Sequence, residues 1–257
     1  SSVEIGGEGG GRRGTGGGGP VVRGGLARGA RAYGAGGVAT GGGAAVGRAL
    51  TLGGTSTSSN EVAGAIQNHD TAGFVSVVKT NAGTWRLSAS NTYTGTTVVS
   101  EGILQLEQAT SLYNADAAKW TKDYITVASG ATLAAKTYTA SSHGWGNANF
   151  ATIITNLTLS GAGGFQSGSY IGFDARDGDY TYWVSQPAIV DPADGGTLGL
   201  RKLGGSMLTF NGTHTYTGDT IVEEGALRIG VNGTVGDIES NVSVATNATL
   251  IFARSTD

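Results

Sequence analysis

The feature that most limits how this chain can fold is an internal repeat. Residues 79–106 align without a gap on residues 202–229, at an offset of 123, and ten of the 28 aligned positions are identical. The best-matching stretch reads NTYTGTTVVSEGILQL in the first copy and HTYTGDTIVEEGALRI in the second. Repetition of such a short unit is typical of architectures in which elements that cannot bury a face alone become stable by stacking.

The match resumes downstream with a change of spacing. Residues 125–134 (ITVASGATLA) align on residues 242–251 (VSVATNATLI) at an offset of 117, so the first copy carries six extra residues. We therefore define two related repeats, residues 79–134 and 202–251. The extra residues fall near 107–120 (EQATSLYNADAAKW), which has helix-forming composition and no Gly. We predict a short helical excursion there.

The body of the chain, residues 46–257, carries strand signals. Runs of β-branched and aliphatic residues alternate with Thr, Ser and Asn and are separated by Gly or Asn turns; they read ALTLGG, FVSVVK, TWRLSAS, TTVVSEGILQL, YITVASGATLAA and TIITNLTLSG. The period is two, and the gaps are too short for crossover helices. These runs predict an all-β solenoid. We expect Val98, Ile103, Leu104 and Leu106, or alternating members of that set, to face inward, while Thr and Ser coat the outside.

Two glycines and one tyrosine of the motif recur in both copies. Gly95 and Gly102 lie seven residues apart and return as Gly218 and Gly225. We predict that they turn the corners of a coil, where a positive φ or the absence of a Cβ is needed. Tyr93 returns as Tyr216, for which packing at the corner is favoured over an outward-facing aromatic.

Composition separates residues 1–45 from the body. This segment holds 19 of the 47 Gly and a formal charge of +3, against −6 for the rest of the chain. It lacks the apolar residues that would offset backbone ordering, so we predict a linker or loosely ordered coil. A basic tether to an anionic polysaccharide is the alternative.

Overall composition excludes several function classes. The chain has no Cys, which removes disulfides, thiolate metal sites and cysteine nucleophiles. An isoelectric point near 5.6 argues against a general nucleic-acid binder. No apolar stretch approaches the roughly 18 residues of a transmembrane helix.

The repeated motif resembles a known family. NTYTGTT followed by VVSEGILQL, and preceded by KTNAGTWRLSAS, resembles the autotransporter-associated β-strand repeat, over about residues 60–257. The second copy departs from the usual pattern at His214, where the family has Asn, and at Met207, where it has Thr. The resemblance implies a right-handed parallel β-helix in a secreted or surface-displayed bacterial protein. We also expect the sequence to be a fragment of a longer chain.

One acidic cluster is a candidate metal-binding or catalytic site. Asp174, Asp177 and Asp179 lie close together in FDARDGDY. A solvated turn is the favoured interpretation; a Ca²⁺ site and paired acids for glycoside cleavage are the alternatives. The spacing matches neither an EF-hand nor a calcium β-roll repeat. We expect no other cofactor or metal.

Aromatic and histidine residues offer further candidates. Trp145 in a Gly-rich loop, with Tyr180, is the predicted surface for stacking on a sugar, whereas Trp85 is predicted to lie in the core. The three histidines, His69, His143 and His214, form no HxxxH or HExxH pair. No catalytic residue is predicted.

These observations together predict a non-catalytic structural or adhesive segment at the bacterial cell surface or outside the cell. It would serve as a stalk, part of an adhesin or a building block of an extracellular fibre. Its expected partners are neighbouring repeats of a larger chain, copies of itself, a polysaccharide or a host or cell surface. The alternatives are a β-helix carbohydrate-active enzyme and a passive glycan-binding module.

Overall fold

The computed structural model describes residues 47–56, 60–68, 73–137, 144–183, 185–233 and 236–255, and the backbone of 2–7 and 21–22. Strands dominate these residues. The first ten are β1 (Ser2–Gly7), β2 (Val21–Val22), β3 (Gly47–Gly54), β4 (Asn60–Val62), β5 (Phe74–Lys79), β6 (Thr84–Leu87), β7 (Thr97–Val99), β8 (Ile103–Leu106), β9 (Ile125–Val127) and β10 (Thr132–Lys136). The others are β11 (Gly164–Phe165), β12 (Ser169–Asp174), β13 (Tyr180–Tyr182), β14 (Leu198–Leu203), β15 (Met207–Phe210), β16 (Thr213–His214), β17 (Thr220–Val222), β18 (Gly225–Gly233), β19 (Asp237–Ile238), β20 (Val242–Val244) and β21 (Ala248–Arg254).

The strands stack in parallel sheets. Sheet 1 has the order β1-β3-β5-β7-β9-β11, sheet 2 the order β2-β4-β6-β8-β10-β12-β14-β17-β20, and sheet 3 the order β13-β15-β18-β21; β16 pairs with β19. Every pairing among the named strands is parallel. The chain winds from sheet to sheet and returns one coil later. This arrangement is that of an all-β parallel solenoid, as the strand pattern predicted.

The core is formed by every second side chain along each strand. In β5 the buried residues are Val75, Val77 and Lys79, while the positions between them are more exposed. In β7 and β8 the interior is formed by Val99, Leu104 and Leu106. The prediction for Leu104 and Leu106 is confirmed.

Two residues expected inside face outward. Val98 and Ile103 are half-buried on the outer face, because the turn at Glu101–Gly102 shifts the alternation between β7 and β8. Thr97, in contrast, is fully buried although Thr was expected to coat the outside. Its hydroxyl has hydrogen-bond partners inside the coil, which offsets the cost of burial.

Two helical insertions interrupt the stack. The predicted excursion near 107–120 is confirmed as three short 3₁₀ turns, Ala109–Ser111, Tyr113–Ala115 and Ala117–Lys119. The α-helix α1 (Asn147–Leu157) corrects a prediction, because its second half belongs to the TIITNLTLSG run assigned to a strand. Its buried residues recur at helical spacing, and they are Phe150, Ile153, Ile154 and Leu157. The Phe150 ring stacks on Phe173 with centroids 4.1 Å apart, so tertiary packing overrides the local β propensity.

The two repeats use different faces of the solenoid. The first copy places β5 and β7 in sheet 1 and β6 and β8 in sheet 2. The matching strands of the second copy, β14 and β17, lie in sheet 2, and β15 and β18 lie in sheet 3. The second copy is therefore advanced by one face around the coil. The coil between the two copies contains three strands, β11 in sheet 1, β12 in sheet 2 and β13 in sheet 3. The next strand, β14, then stacks on β12 in sheet 2.

Part of the Gly-rich segment enters the stack. Ser2–Gly7 pairs with β3, and Val21–Val22 pairs with β4. The remainder of the predicted linker lies outside the described residues, as do His69 and His143.

Candidate functional site

Each repeat contains a buried lysine at a corner between two strands. Lys79 ends β5, is 0% exposed, and donates to the carbonyl oxygens of Thr80, Asn81 and Glu101 at 2.8, 2.6 and 3.0 Å. Lys202 is the penultimate residue of β14 and is also 0% exposed. It donates to the matching carbonyls of Leu203, Gly204 and Glu224 at 2.9, 2.5 and 2.9 Å. We call each arrangement a lysine corner.

The lysine corner matches the ammonium group to its surroundings. An ammonium has three N–H donors and no acceptor, and three carbonyl oxygens satisfy all of them. Burial lowers the pKa of Lys79 and of Lys202 to about 8, opposed by the charge of Glu101 and Asp174 respectively. Both remain mainly charged at neutral pH. The lysine therefore joins the turn that follows it to the next coil, since the third carbonyl belongs to that coil.

The sequence carries a signal for the lysine corner. Lys79 occupies an inward position of the alternating run FVSVVK and is identical in the second copy. A charged residue at an inward strand position needs a fixed set of partners.

Glycines complete the corners, as predicted. Gly102 and Gly225 have φ of +66° and +64°, in the left-handed region. Gly95 and Gly218 serve the close approach of two coils: an added Cβ would lie 2.6 Å from the carbonyl oxygen of Val75 at the first, and 2.5 Å from that of Leu198 at the second.

The repeated tyrosines lie inside the coil. Tyr93 is 1% exposed, and its hydroxyl bonds the Thr97 hydroxyl at 2.6 Å, which in turn donates to the Tyr113 hydroxyl at 2.9 Å. In the second copy the matching hydroxyls are those of Tyr216, Thr220 and Ser240, separated by 2.5 and 2.6 Å. Burial raises the pKa of both repeated tyrosines, so their phenols stay protonated. These contacts are structural.

His214 occupies the place of an asparagine. In the first copy the Asn91 side-chain oxygen accepts from the Ile66 amide at 2.8 Å. In the second, His214 Nδ1 accepts from the Ile189 amide at 3.1 Å. This bond requires an unprotonated Nδ1. Burial lowers the pKa of His214 to about 4, which is consistent with that state at neutral pH.

The acidic cluster does not converge on one point. Asp174 is 1% exposed and pairs with Arg176 at 2.6 Å. Burial raises its pKa, and the Arg176 charge opposes this shift. Asp177 pairs with Lys136 at 3.0 Å, and Asp179 accepts from the Met207 amide at 2.8 Å.

Each carboxylate of the cluster thus has its own partner. Among the described residues no group of three or more His, Cys, Asp or Glu side chains is arranged to hold a metal ion. The Ca²⁺ alternative therefore receives no geometric support from Asp174, Asp177 and Asp179.

The predicted sugar-stacking pair is wrong. Trp145 is 0% exposed and stacks on Trp120 with centroids 4.8 Å apart, and Tyr180 is buried with its hydroxyl bonded to Asn147. The helix α1 follows Trp145 directly and covers this region. Trp85 is buried, as predicted, while Trp183 is 50% exposed.

A groove crosses the outer face of sheet 2, and it was not predicted. Two cavities of about 420 and 280 Å³ share the lining residues Thr84, Ile103 and Glu223. The larger also reaches Arg201, on the far side of β8, β10 and β12 from Thr84. We call the two cavities together the sheet-2 groove.

Small outward residues lie between the two sides of the groove. The outward row of sheet 2 places Ala134 on β10 beside Gly172 on β12. An added Cβ on Gly172 would lie 2.5 Å from the Ala134 Cβ, so a larger residue does not fit at this position. A row of small outward residues in neighbouring coils is a signal that emerges only once the register is known.

Comparisons with known proteins agree with the repeat. Residues 77–106 and 200–229 match the family model described as the passenger-associated-transport-repeat. The adhesin BmaC autotransporter of Brucella suis biovar 1 (strain 1330) is 39% identical over 59 residues, which are 23% of this chain and 2% of that relative. The match thus spans a small part of the relative's length. No solved structure matches the chain. The resemblance recognised in the motif is confirmed, and it supports a passenger- or adhesin-type segment located at the cell surface or secreted.

Proposed function

We propose that this chain is a non-catalytic, adhesive segment of a bacterial surface or secreted protein. The observation that carries the proposal is the pair of matching repeats, which fold into coils of one parallel stack and hold their corners by the same lysine contacts. The contacts that the two copies of the motif share are thus internal. The coils wind right-handed, the sense that parallel crossover connections favour.

The distribution of polar groups supports the non-catalytic part of the proposal. The buried histidine, tyrosines and lysines all serve internal hydrogen bonds, and the three clustered aspartates have separate partners. Within the described part of the chain, no helix combines the length and apolar character of a membrane span.

Adhesion is tested directly with coated particles. Beads coated with the purified chain are expected to bind to polysaccharide films or cultured cells more than beads coated with albumin. Equal retention of the two bead types on all surfaces would contradict the adhesive role. Retention that is abolished by unfolding the coat with heat before the assay would confirm that the folded coils are needed.

Self-association along the stack is the fibre-forming version of the proposal. In β21 the inward side chains Leu250 and Phe252 continue the ladder of Leu227 and Ile229, yet Phe252 is 67% exposed. Strand β21 presents backbone groups and apolar side chains on which a further coil can stack. In the fibre-forming version, that coil belongs to a second copy of the chain.

Phe252→Lys is therefore expected to weaken association of the purified chain, because it places a charge where the next coil stacks. Analytical ultracentrifugation and electron microscopy at high concentration measure this. The matched control is Ile251→Lys, one residue away on the outward side of the same strand, which should leave association unchanged. A wild-type chain that stays monomeric at high concentration would contradict the fibre role and leave the adhesive role standing.

A further inference from the structure

We infer that the sheet-2 groove binds a neutral polysaccharide chain. The inference rests on the proposed adhesive function and names the class of ligand that this face would take. It depends on three properties of the groove: its balanced charge, its elongated shape and the fixed positions of its polar side chains.

Charge is the first property. Arg201 forms an ion pair with Glu223 in the larger cavity, and Arg176 pairs with Asp174 at 2.6 Å in the smaller one. Glu101 and Glu224 are exposed, and their backbone carbonyls accept from the buried Lys79 and Lys202; the charges of these lysines also act on the two carboxylates. Every acidic group of the groove is thus compensated by a nearby cation.

Balanced charge selects the ligand. A nucleic acid or an acidic glycan needs a cationic surface, and a polycation needs an anionic one. Paired guanidinium and carboxylate groups instead present N–H donors beside oxygen acceptors. A sugar hydroxyl both donates and accepts a hydrogen bond, so it can use both members of a pair at once. Neutral sugars therefore fit the groove best.

Shape is the second property. The two cavities are adjacent and share Thr84, Ile103 and Glu223 in their linings, and the strands from β6 to β14 cover roughly 19 Å at the usual strand spacing. An extended chain fits such a trench better than a compact molecule does. The Ile103 side chain adds an apolar patch for the C–H face of a sugar ring.

The third property is that the polar groups are held in place before a ligand arrives. The Arg201 guanidinium lies 4.9 Å from the centroid of the Tyr170 ring and is also bonded to Glu223. Its side chain is 23% exposed and that of Glu223 is 32% exposed, so both reach solvent with little freedom. Fixed side chains lose less conformational entropy on binding.

The test uses the purified full chain and a panel of polysaccharides that are neutral, uronate-containing, sulfated or amine-bearing. We expect binding of at least one neutral polysaccharide, with an affinity that changes little between low and high salt because no net charge is neutralised. Preferential binding of a charged polysaccharide would overturn the ligand assignment and leave the adhesive role standing. The same holds if beads coated with the chain adhere but the chain binds no polysaccharide of the panel.

Variants locate the binding in the groove. Thr84→Trp fills the space shared by both cavities and is expected to weaken binding by roughly tenfold or more. Ser243→Trp is the matched control, because Ser243 lies exposed on the same sheet beyond the groove, and it should bind as the wild type does. The pair Arg201→Gln and Glu223→Gln keeps similar volumes and removes the charges, and it should weaken binding similarly. Unchanged binding in a folded Thr84→Trp chain would overturn the proposal.

Discussion

Replacing Lys202 with methionine is expected to lower the free energy of unfolding by about 4 kcal/mol, measured by denaturant unfolding at neutral pH. Methionine fills most of the space of the lysine side chain but donates no hydrogen bond. The carbonyl oxygens of Leu203, Gly204 and Glu224 then lose the donor that they share. An unsatisfied buried polar group costs roughly 1–3 kcal/mol; the oxygens of Gly204 and Glu224 lose their lysine donor, whereas that of Leu203 still accepts from the Ala175 amide.

The first copy supplies an independent replicate of this experiment. Lys79→Met removes the same three contacts from a corner that shares no hydrogen-bond partner with Lys202, so the two losses should be similar and should add. Lys122→Met is the control, because Lys122 pairs with the exposed Asp123 at the surface, and it should change stability by less than about 1 kcal/mol. A Lys202→Met chain as stable as the wild type would show that the corner contacts do not hold the fold.

Acidification from pH 7 is expected to destabilise the protein through His214. Burial lowers the pKa of His214 to about 4 in the folded chain, below its ordinary value of 6.5. Between these values the unfolded chain binds the proton and the folded chain does not, so stability falls as the pH falls. The contribution of His214 is complete above about pH 6.5. About 2 kcal/mol of it is lost by pH 5 and about 3 kcal/mol by pH 4.

Because carboxylates also titrate in this range, the measurement is a difference between two chains. His214→Asn installs the residue that the first copy uses at this place, whose side-chain oxygen can accept from the Ile189 amide at any pH. The wild type should lose about 2 kcal/mol more than His214→Asn between pH 7 and pH 5. Parallel stability curves for the two chains would contradict this role of His214.

Much of the fold could be predicted because the two copies of the motif form the same turns and inward-facing strand positions. Gly102 and Gly225 recur at corners that need a positive φ, and Leu104 recurs at an inward position as Leu227. The period of two and the shortness of the gaps exclude crossover helices. These signals lie within a few residues of one another, so they can be recognised without knowing which coils are neighbours.

Other features depend on contacts between distant segments. The burial of Trp145 follows from its stacking on Trp120 and from the helix α1 that packs over both. The groove likewise joins Thr84 on β6 to Arg201 on β14, and the order of these strands in sheet 2 is not disclosed by their sequence separation. The advance of the second copy by one face is set by the segment between the copies, which the repeated motif does not include.

That advance has a consequence for a chain with duplicated segments. If two like strands occupied the same face in successive coils, an unfolded chain could pair either one with the same neighbour, and misregistered stacks would compete with the native one. Here β5 is stacked between β3 and β7, whereas its counterpart β14 is stacked between β12 and β17, on another sheet. Each copy therefore points its outer surface in a different direction around the axis of the rod. A surface that approaches sheet 2 meets β6 and β8 of the first copy and β14 and β17 of the second, and residues of both copies line the groove.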